Sequence, residues 1–123
     1  MKYRQFDVVL VDFGDDVIGS EQGGIRPAII VQSDDGNIPS CSTALVMPFT
    51  TSIKSLYQPT HTLFKKGKEK GLRWDSTLLG ECMRQVSELR MIKYLGKIVD
   101  LEEQNEVWRV YRAGFWGKSA RTQ

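Results

Sequence analysis

The chain opens its apolar patterning with Asp7-Val8-Val9-Leu10-Val11-Asp12-Phe13, a β-branched run closed by Gly14. A short unbroken run of this kind predicts a strand buried on both faces. Residues 15–25 carry Gly19, Gly23 and Gly24 among polar side chains and read as a loop, with Gly23-Gly24 free to take backbone geometry closed to bulkier residues. A second strand follows over Arg26-Pro27-Ala28-Ile29-Ile30-Val31-Gln32, its proline suited to a strand start or an edge. Ser33 to Ser40 is turn chemistry, and Ala44-Leu45-Val46-Met47 forms a third strand stopped at Pro48. Thr60-His61-Thr62-Leu63-Phe64 alternates as a fourth, and Ser76-Thr77-Leu78-Leu79 and Cys82-Met83-Arg84-Gln85-Val86 add more around Gly80. Short strands punctuated by turn residues predict a small antiparallel barrel or sandwich.

The period then changes. Ser87 to Tyr94 reads as a short helix before a last strand over Gly96-Lys97-Ile98-Val99. Asp100 caps a C-terminal helix, with Glu103 closing a capping box and apolar residues at 101, 107, 108, 111 and 115. Trp108, Tyr111 and Phe115 are expected to dock it on the sheet. The class is therefore mainly β with a C-terminal α-helix, one domain over residues 1–116 and a mobile tail over 117–123.

Composition narrows the chemistry. At 123 residues the chain carries a single histidine, His61, and two cysteines, Cys41 and Cys82, that lie far apart in sequence. That excludes a histidine-pair mechanism within one chain, a multi-imidazole zinc site and a C-x-x-C redox motif, so no metal and no cofactor is expected. Ser33 to Ser40 lacks the spaced carboxylates of a calcium loop. There is no nucleotide-binding glycine fingerprint, no G-x-S-x-G elbow, no apolar run of membrane-spanning length and no signal-peptide core, and a cytoplasmic location with reduced thiols is expected. Chemistry is left to arginines, hydroxyls and carboxylates.

The net charge of +2 is unevenly spread. Residues 1–53 hold three Lys/Arg against seven Asp/Glu, whereas residues 54–123 hold fourteen against eight. The densest basic stretch is Lys65-Lys66-Gly67-Lys68-Glu69-Lys70-Gly71-Leu72-Arg73, either a solvated loop or a phosphate-attracting surface. Gly19 to Pro27 delivers Arg26 to the start of a strand, where Glu21 can pair with its guanidinium. By itself Arg26 reads first as a surface arginine.

The stretch Gly19-Ser20-Glu21-Gln22-Gly23-Gly24-Ile25-Arg26-Pro27, with the strand before it, closely resembles the first signature of the MazF/PemK/Kid toxins. The resemblance continues through Val46-Met47-Pro48-Phe49-Thr50, Pro59-Thr60-His61-Thr62, Leu72-Arg73-Trp74-Asp75-Ser76 and Leu79-Gly80-Glu81-Cys82-Met83-Arg84. Cys82 and Gln85 stand where many members of that family have Gln and Thr.

The resemblance implies a small SH3-like barrel with a C-terminal helix, working as a homodimer, and the toxin half of a bacterial toxin–antitoxin pair. It implies a metal-independent endoribonuclease cutting single-stranded RNA, mRNA included, by attack of the ribose 2′-OH on its own phosphate. Arg26 and Thr50 fall on the family's catalytic positions. Thr51, Glu21, His61 and Asp75 are candidate supporting groups, the last three as proton acceptors. Guanidinium hardly deprotonates, so Arg26 is assigned to charge stabilisation and the base is left open.

RNA contacts are expected from Gln22, Arg73, Trp74, Arg84 and Gln85, with Lys65, Lys66, Lys68 and Lys70 drawing in the backbone. Trp74 as core filler and His61 as a strand-edge or surface histidine are the plain alternatives. The expected partner is an antitoxin with an acidic, disordered segment. The dimer is expected along the Arg26–Val31 and Leu45–Met47 strands. Two other classes remain open: a gyrase poison on the same fold, echoed in Phe115-Trp116, and a non-catalytic SH3-like binding module.

Overall fold

In a computed structural model the chain is described over residues 1–15, 23–52 and 55–115. Seven strands and one α-helix follow in order: β1 Asp7–Asp12, β2 Ile25–Ile30, β3 Thr43–Thr50, β4 His61–Phe64, β5 Ser76–Leu79, β6 Arg84–Ser87, β7 Met91–Lys97 and α1 Leu101–Phe115. All pairings are antiparallel, and the path runs β4-β5-β3-β2-β1-β7, with β6 pairing β3 off that path. β4 and β7 end the path without meeting. The sheet is therefore open among the described residues, and the closure implied by an SH3-like barrel is not made.

β3 organises the sheet. One edge pairs β2 through Val46–Pro48; the other is divided between β6, along Thr43–Val46, and β5, along Phe49–Thr50. The 3₁₀ turn Gly80–Cys82 carries the chain from β5 to β6. This arrangement explains why Pro48 does not stop the strand as expected. It sits in the gap between the two partners on that edge, where a missing N–H leaves no ladder bond unmade.

Both faces of the sheet are covered, as the unbroken apolar run of β1 predicts for that strand. Val9, Val11, Ala28, Ile30, Ala44, Val46 and Val86 pack on one face with Met1, Tyr3 and Met91. Val8, Ile29, Met47, Phe49, Phe64, Leu72 and Leu78 pack on the other against Val107 and Val110 of α1. Those two valines are fully buried, a gain of roughly 1.5–3 kcal/mol each. The docking stripe of α1 is thus Val107, Val110 and Ala113. Trp108 and Tyr111 flank it as expected, but Phe115 is exposed and stacks on Tyr111.

Asp100 caps α1 through its Oδ2, which accepts the Glu103 N–H at 3.0 Å. Glu103, expected to complete a capping box, is held by Lys70 Nζ at 2.6 Å. The short helix expected over Ser87 to Tyr94 shrinks to the 3₁₀ turn Glu88–Arg90. β7 begins at Met91 and ends at Lys97, ahead of the expected Gly96–Val99 strand. Tertiary pairing decides this segment: Leu10 and Val11 of β1 hold Lys93 and Met91 in a ladder that a local helix would forfeit.

β2 lies between β1 and β3, and β3 is paired on both edges, so neither strand offers the free edge expected for a dimer. No helix among the described residues is long and apolar enough to cross a membrane. Cys41 and Cys82 are not joined in a disulfide.

Gly96 sets a tight crossing. A Cβ there would lie 2.4 Å from the Gly71 nitrogen, in the turn that Lys97 N–H ties down through the Glu69 carbonyl at 2.9 Å. Gly96→Ala is expected to cost about 1–3 kcal/mol by overpacking, read as a lower urea midpoint.

α1 is also clamped electrostatically. Arg109 donates to Glu106 and to the Pro59 and His61 carbonyls, while Thr62 Oγ1 donates to Glu106 at 2.8 Å. The Arg109 hydrogen bond, helped by Thr62, holds the Glu106 carboxyl below its ordinary value of 4.5 against the opposing pull of burial. A carboxyl lowered on folding stabilises fully above that ordinary value and loses the contribution as pH falls through the folded one. The gap in melting temperature between wild type and Glu106→Gln should therefore be widest near neutral pH and narrow progressively below about pH 4.5.

Candidate functional site

The β2–β3 register runs Ile30–Val46, Ile29–Met47, Ala28–Pro48. Carried two residues further, it sets Arg26 across from Thr50, where β3 has turned to pair β5 through Thr50–Thr77. The two strands part there, and a cleft of about 430 Å³ opens at the parting, lined by both residues. Its floor continues the row Pro27–Leu10–Lys93 across β2, β1 and β7, with Phe49, Leu72 and Leu95 beside it. Arg73, Trp74, Thr51 and Ser76 complete the wall.

Local chemistry places each group. Gly24, at φ 75°, turns the chain into β2, and its amide and carbonyl bond Gly14 and Phe13 at the hairpin neck. Arg26 Nε donates to the Gly23 carbonyl at 2.9 Å, which orients the guanidinium plane. Thr50 is 7% exposed, and its Oγ1 accepts the Ser52 N–H at 3.2 Å, leaving the hydroxyl proton to donate elsewhere. Ser76 Oγ donates to the Trp74 carbonyl at 2.8 Å and steadies the turn that presents Trp74, whose side chain is 64% exposed. Core filler is thereby ruled out for Trp74.

The remaining expected residues separate. His61 is buried outside the cleft, with Nδ1 against the Ser55 carbonyl at 2.7 Å and Nε2 against Glu81 at 2.6 Å. It opens β4, the end strand of the path, which agrees with the strand-edge half of the plain reading but not with a surface position, and both nitrogens are engaged away from Arg26. Asp75 is also outside the lining; its Oδ1 accepts the Lys66 N–H at 2.8 Å, and its other oxygen lies 3.8 Å from Lys65 Nζ. Arg84 stacks over Phe13 at 5.6 Å, and Gln85 donates to Thr43 and Gln32, both away from the cleft. Lys70 is turned to Glu103 and is spent on the helix. Glu21 and Gln22 lie outside the described residues.

The residue sequence reasoning missed is Lys93. Placed on an expected helix, it lies instead on β7 and projects a third cation toward the cleft. The alternation of Met91-Ile92-Lys93-Tyr94-Leu95 is the signal that a strand reading would have used. Among the described residues the cleft's ionisable lining is cationic: Arg26, Arg73 and Lys93. Fixed donors beside hydroxyls on an apolar floor suit an anionic group whose negative charge grows during reaction.

Comparison with known proteins fits this geometry. The chain is 41% identical over 97 residues to endoribonuclease MazF of Staphylococcus saprophyticus, covering 79% of this chain and 78% of that one. It is 36% identical over 104 residues to endoribonuclease EndoA of Bacillus subtilis, covering 85% and 84%. Among solved structures, a mycobacterial endoribonuclease in complex with its cognate antitoxin superposes with a TM-score of 0.72 at 15% identity, covering 93% of this chain and 95% of that one. MazF from Deinococcus radiodurans superposes with a TM-score of 0.70 at 18% identity, over 94% and 97%. At those identities the structures establish a shared fold. The sequence model of the PemK-like, MazF-like toxins matches residues 4–112, and the chain belongs to that family of type II toxin–antitoxin toxins.

Proposed function

We propose that the protein is a sequence-specific endoribonuclease that cuts single-stranded RNA in the Arg26–Thr50 cleft without a metal ion. The observation that carries this reading is that both residues line the cleft where β2 and β3 part, whose described ionisable groups are all cationic. The ribose 2′-oxygen bonds to the adjacent phosphorus as the bond to the 5′-oxygen breaks. The 2′-hydroxyl proton passes to a base, and the departing 5′-oxygen takes up a proton. The products are a 2′,3′-cyclic phosphate and a 5′-hydroxyl.

Negative charge gathers on the phosphoryl oxygens in the pentacoordinate transition state. Arg26 supplies charge-assisted N–H donors there and Thr50 an O–H donor, with Thr51 beside it. Arg26 is not the base, because guanidinium stays protonated. Glu21, close in sequence to Arg26, is the carboxylate assigned to hold the guanidinium or accept the proton, and Gln22 is assigned a base contact. Trp74 offers an exposed ring for base stacking beside Arg73, and Lys93 attracts the backbone. Removed from the cleft, His61 and Asp75 act as structural groups in this reading. The relatives' names support RNA cleavage, and the antitoxin-bound neighbour supports a protein partner whose acidic segment competes for the same cations. A homodimer is part of the proposal.

The test is incubation with a long single-stranded RNA in excess EDTA. Wild type should cut and leave cyclic phosphate ends, and Arg26→Ala should lose about 10²–10³ in kcat. Thr50→Val should lose about tenfold and Thr50→Ser should retain activity, separating the hydroxyl from the side-chain shape. Lys93→Ala should raise KM more than it lowers kcat. Cleavage abolished by EDTA, or unchanged in Arg26→Ala, would sink the mechanism, and gyrase-dependent DNA breaks without RNA cleavage would replace it.

A further inference from the structure

Beside the cleft, across the turn Gly71–Arg73, runs a second groove of about 660 Å³. Leu72 and Leu95 form an apolar floor that the two cavities share, and Arg73 lies on both rims. The far rim is Lys66 and Lys68. We infer that this groove is a second nucleotide subsite for the RNA segment flanking the cut position, with base and ribose on the leucine floor and phosphates between Lys66, Lys68 and Arg73. The inference rests on the endoribonuclease reading above and deepens it.

The basic segment is built rather than loose. Gly67 and Leu72 bond each other in both directions, at 3.0 and 3.2 Å. Asp75 fixes the Lys66 amide, and Lys97 N–H fixes the Glu69 carbonyl. Lys70 reaches under the loop to Glu103 at 2.6 Å and to the Lys65 carbonyl at 2.9 Å, with its side chain only 12% exposed.

The four lysines therefore divide by role. Lys70 is consumed in tying the loop to α1, and Lys65 faces Asp75 away from the groove. Lys66 and Lys68 have no ion-pair partner among the described residues; the Glu69 carboxylate folds back against Gly67 between them without pairing with either. Cations outside ion pairs along an apolar floor are what a single strand requires: charge for its backbone and a flat surface for its bases. Continuity decides between an RNA segment and an acidic peptide. A strand held at Arg26 has to leave the cleft, and across Arg73 it meets the next cations and an uninterrupted leucine floor. Glu103 is a positioning residue here, acting through Lys70.

The experiment measures binding and cleavage separately. Binding of an uncleavable, fully 2′-O-methylated single strand is followed across salt concentrations for wild type and the Lys66→Ala/Lys68→Ala variant. Two lost phosphate contacts should lower the log–log salt slope by about 1.4. With an RNA that wild type cleaves, the variant should raise KM several-fold with kcat nearly kept. That penalty should vanish as the RNA is trimmed from one end. Glu103→Gln should shift KM in the same direction by less, and an unchanged melting temperature in the double variant keeps the comparison valid.

An unchanged slope and KM would overturn the subsite. A KM penalty equal at every RNA length would also overturn it, as a diffuse field in place of a groove. Loss confined to binding of a polyglutamate peptide would reassign the groove to an acidic partner. A wild type that cleaves no RNA, with the slope still lowered in the variant, would keep the groove as a single-strand site and overturn the cleavage reading instead.

Discussion

The divided edge of β3 is the constraint on which this molecule depends. A strand has two edges, and β3 gives one to β2 and splits the other between β6 and β5. The switch from β6 to β5 falls at Pro48, the position with no N–H to lose. Just beyond it β2 and β3 part, because β3 follows β5 while β2 remains with β1. The cleft is the space this parting leaves. Arg26 and Thr50 line it because they lie two residues past the last β2–β3 pair, Ala28–Pro48, where the strands have separated.

The opposite end of the design is α1, which acts as more than a lid on the core. Val107 and Val110 seal one face of the sheet, while Arg109 and Glu106 clamp β4 and Glu103 holds Lys70. Charge on the helix is thereby spent on architecture, and so is half of the lysine segment. Lys66 and Lys68, which have no ion-pair partner among the described residues, lie along the groove beside the cleft. The modest net charge of +2 conceals that sorting, since most carboxylates near the basic segment are engaged in holding it in place.

The legible and illegible parts of the sequence differ in physical kind. Val8 to Val11 mark a strand covered on both faces, Ala28 to Val31 mark a strand, and Asp100 marks a helix start, because each depends on residues close in sequence. The resemblance carried by Glu21 to Pro27 points to Arg26 without any geometry. Pro48 read as a stop since nothing local reveals that one edge of its strand changes partner there. Ser87 to Tyr94 read as a helix because its pairing partner lies far away, in β1. That error hid Lys93, and the lysine run could not be divided into structural and free members without the position of Glu103.

The sequence by itself determined the class of the fold, the family and the palette of chemistry: arginine, threonine and lysine, with one histidine and two isolated cysteines. Tertiary structure decided which of those groups share a space. It brought Arg26, Thr50, Arg73, Trp74 and Lys93 to one cleft, sent His61 to Glu81, Lys70 to Glu103 and Asp75 to the Lys66 amide, and left the sheet open among the described residues. The reason is that residue type and periodicity are local properties, whereas the choice of partner for a charge or a strand edge is settled by which distant segments the register makes neighbours.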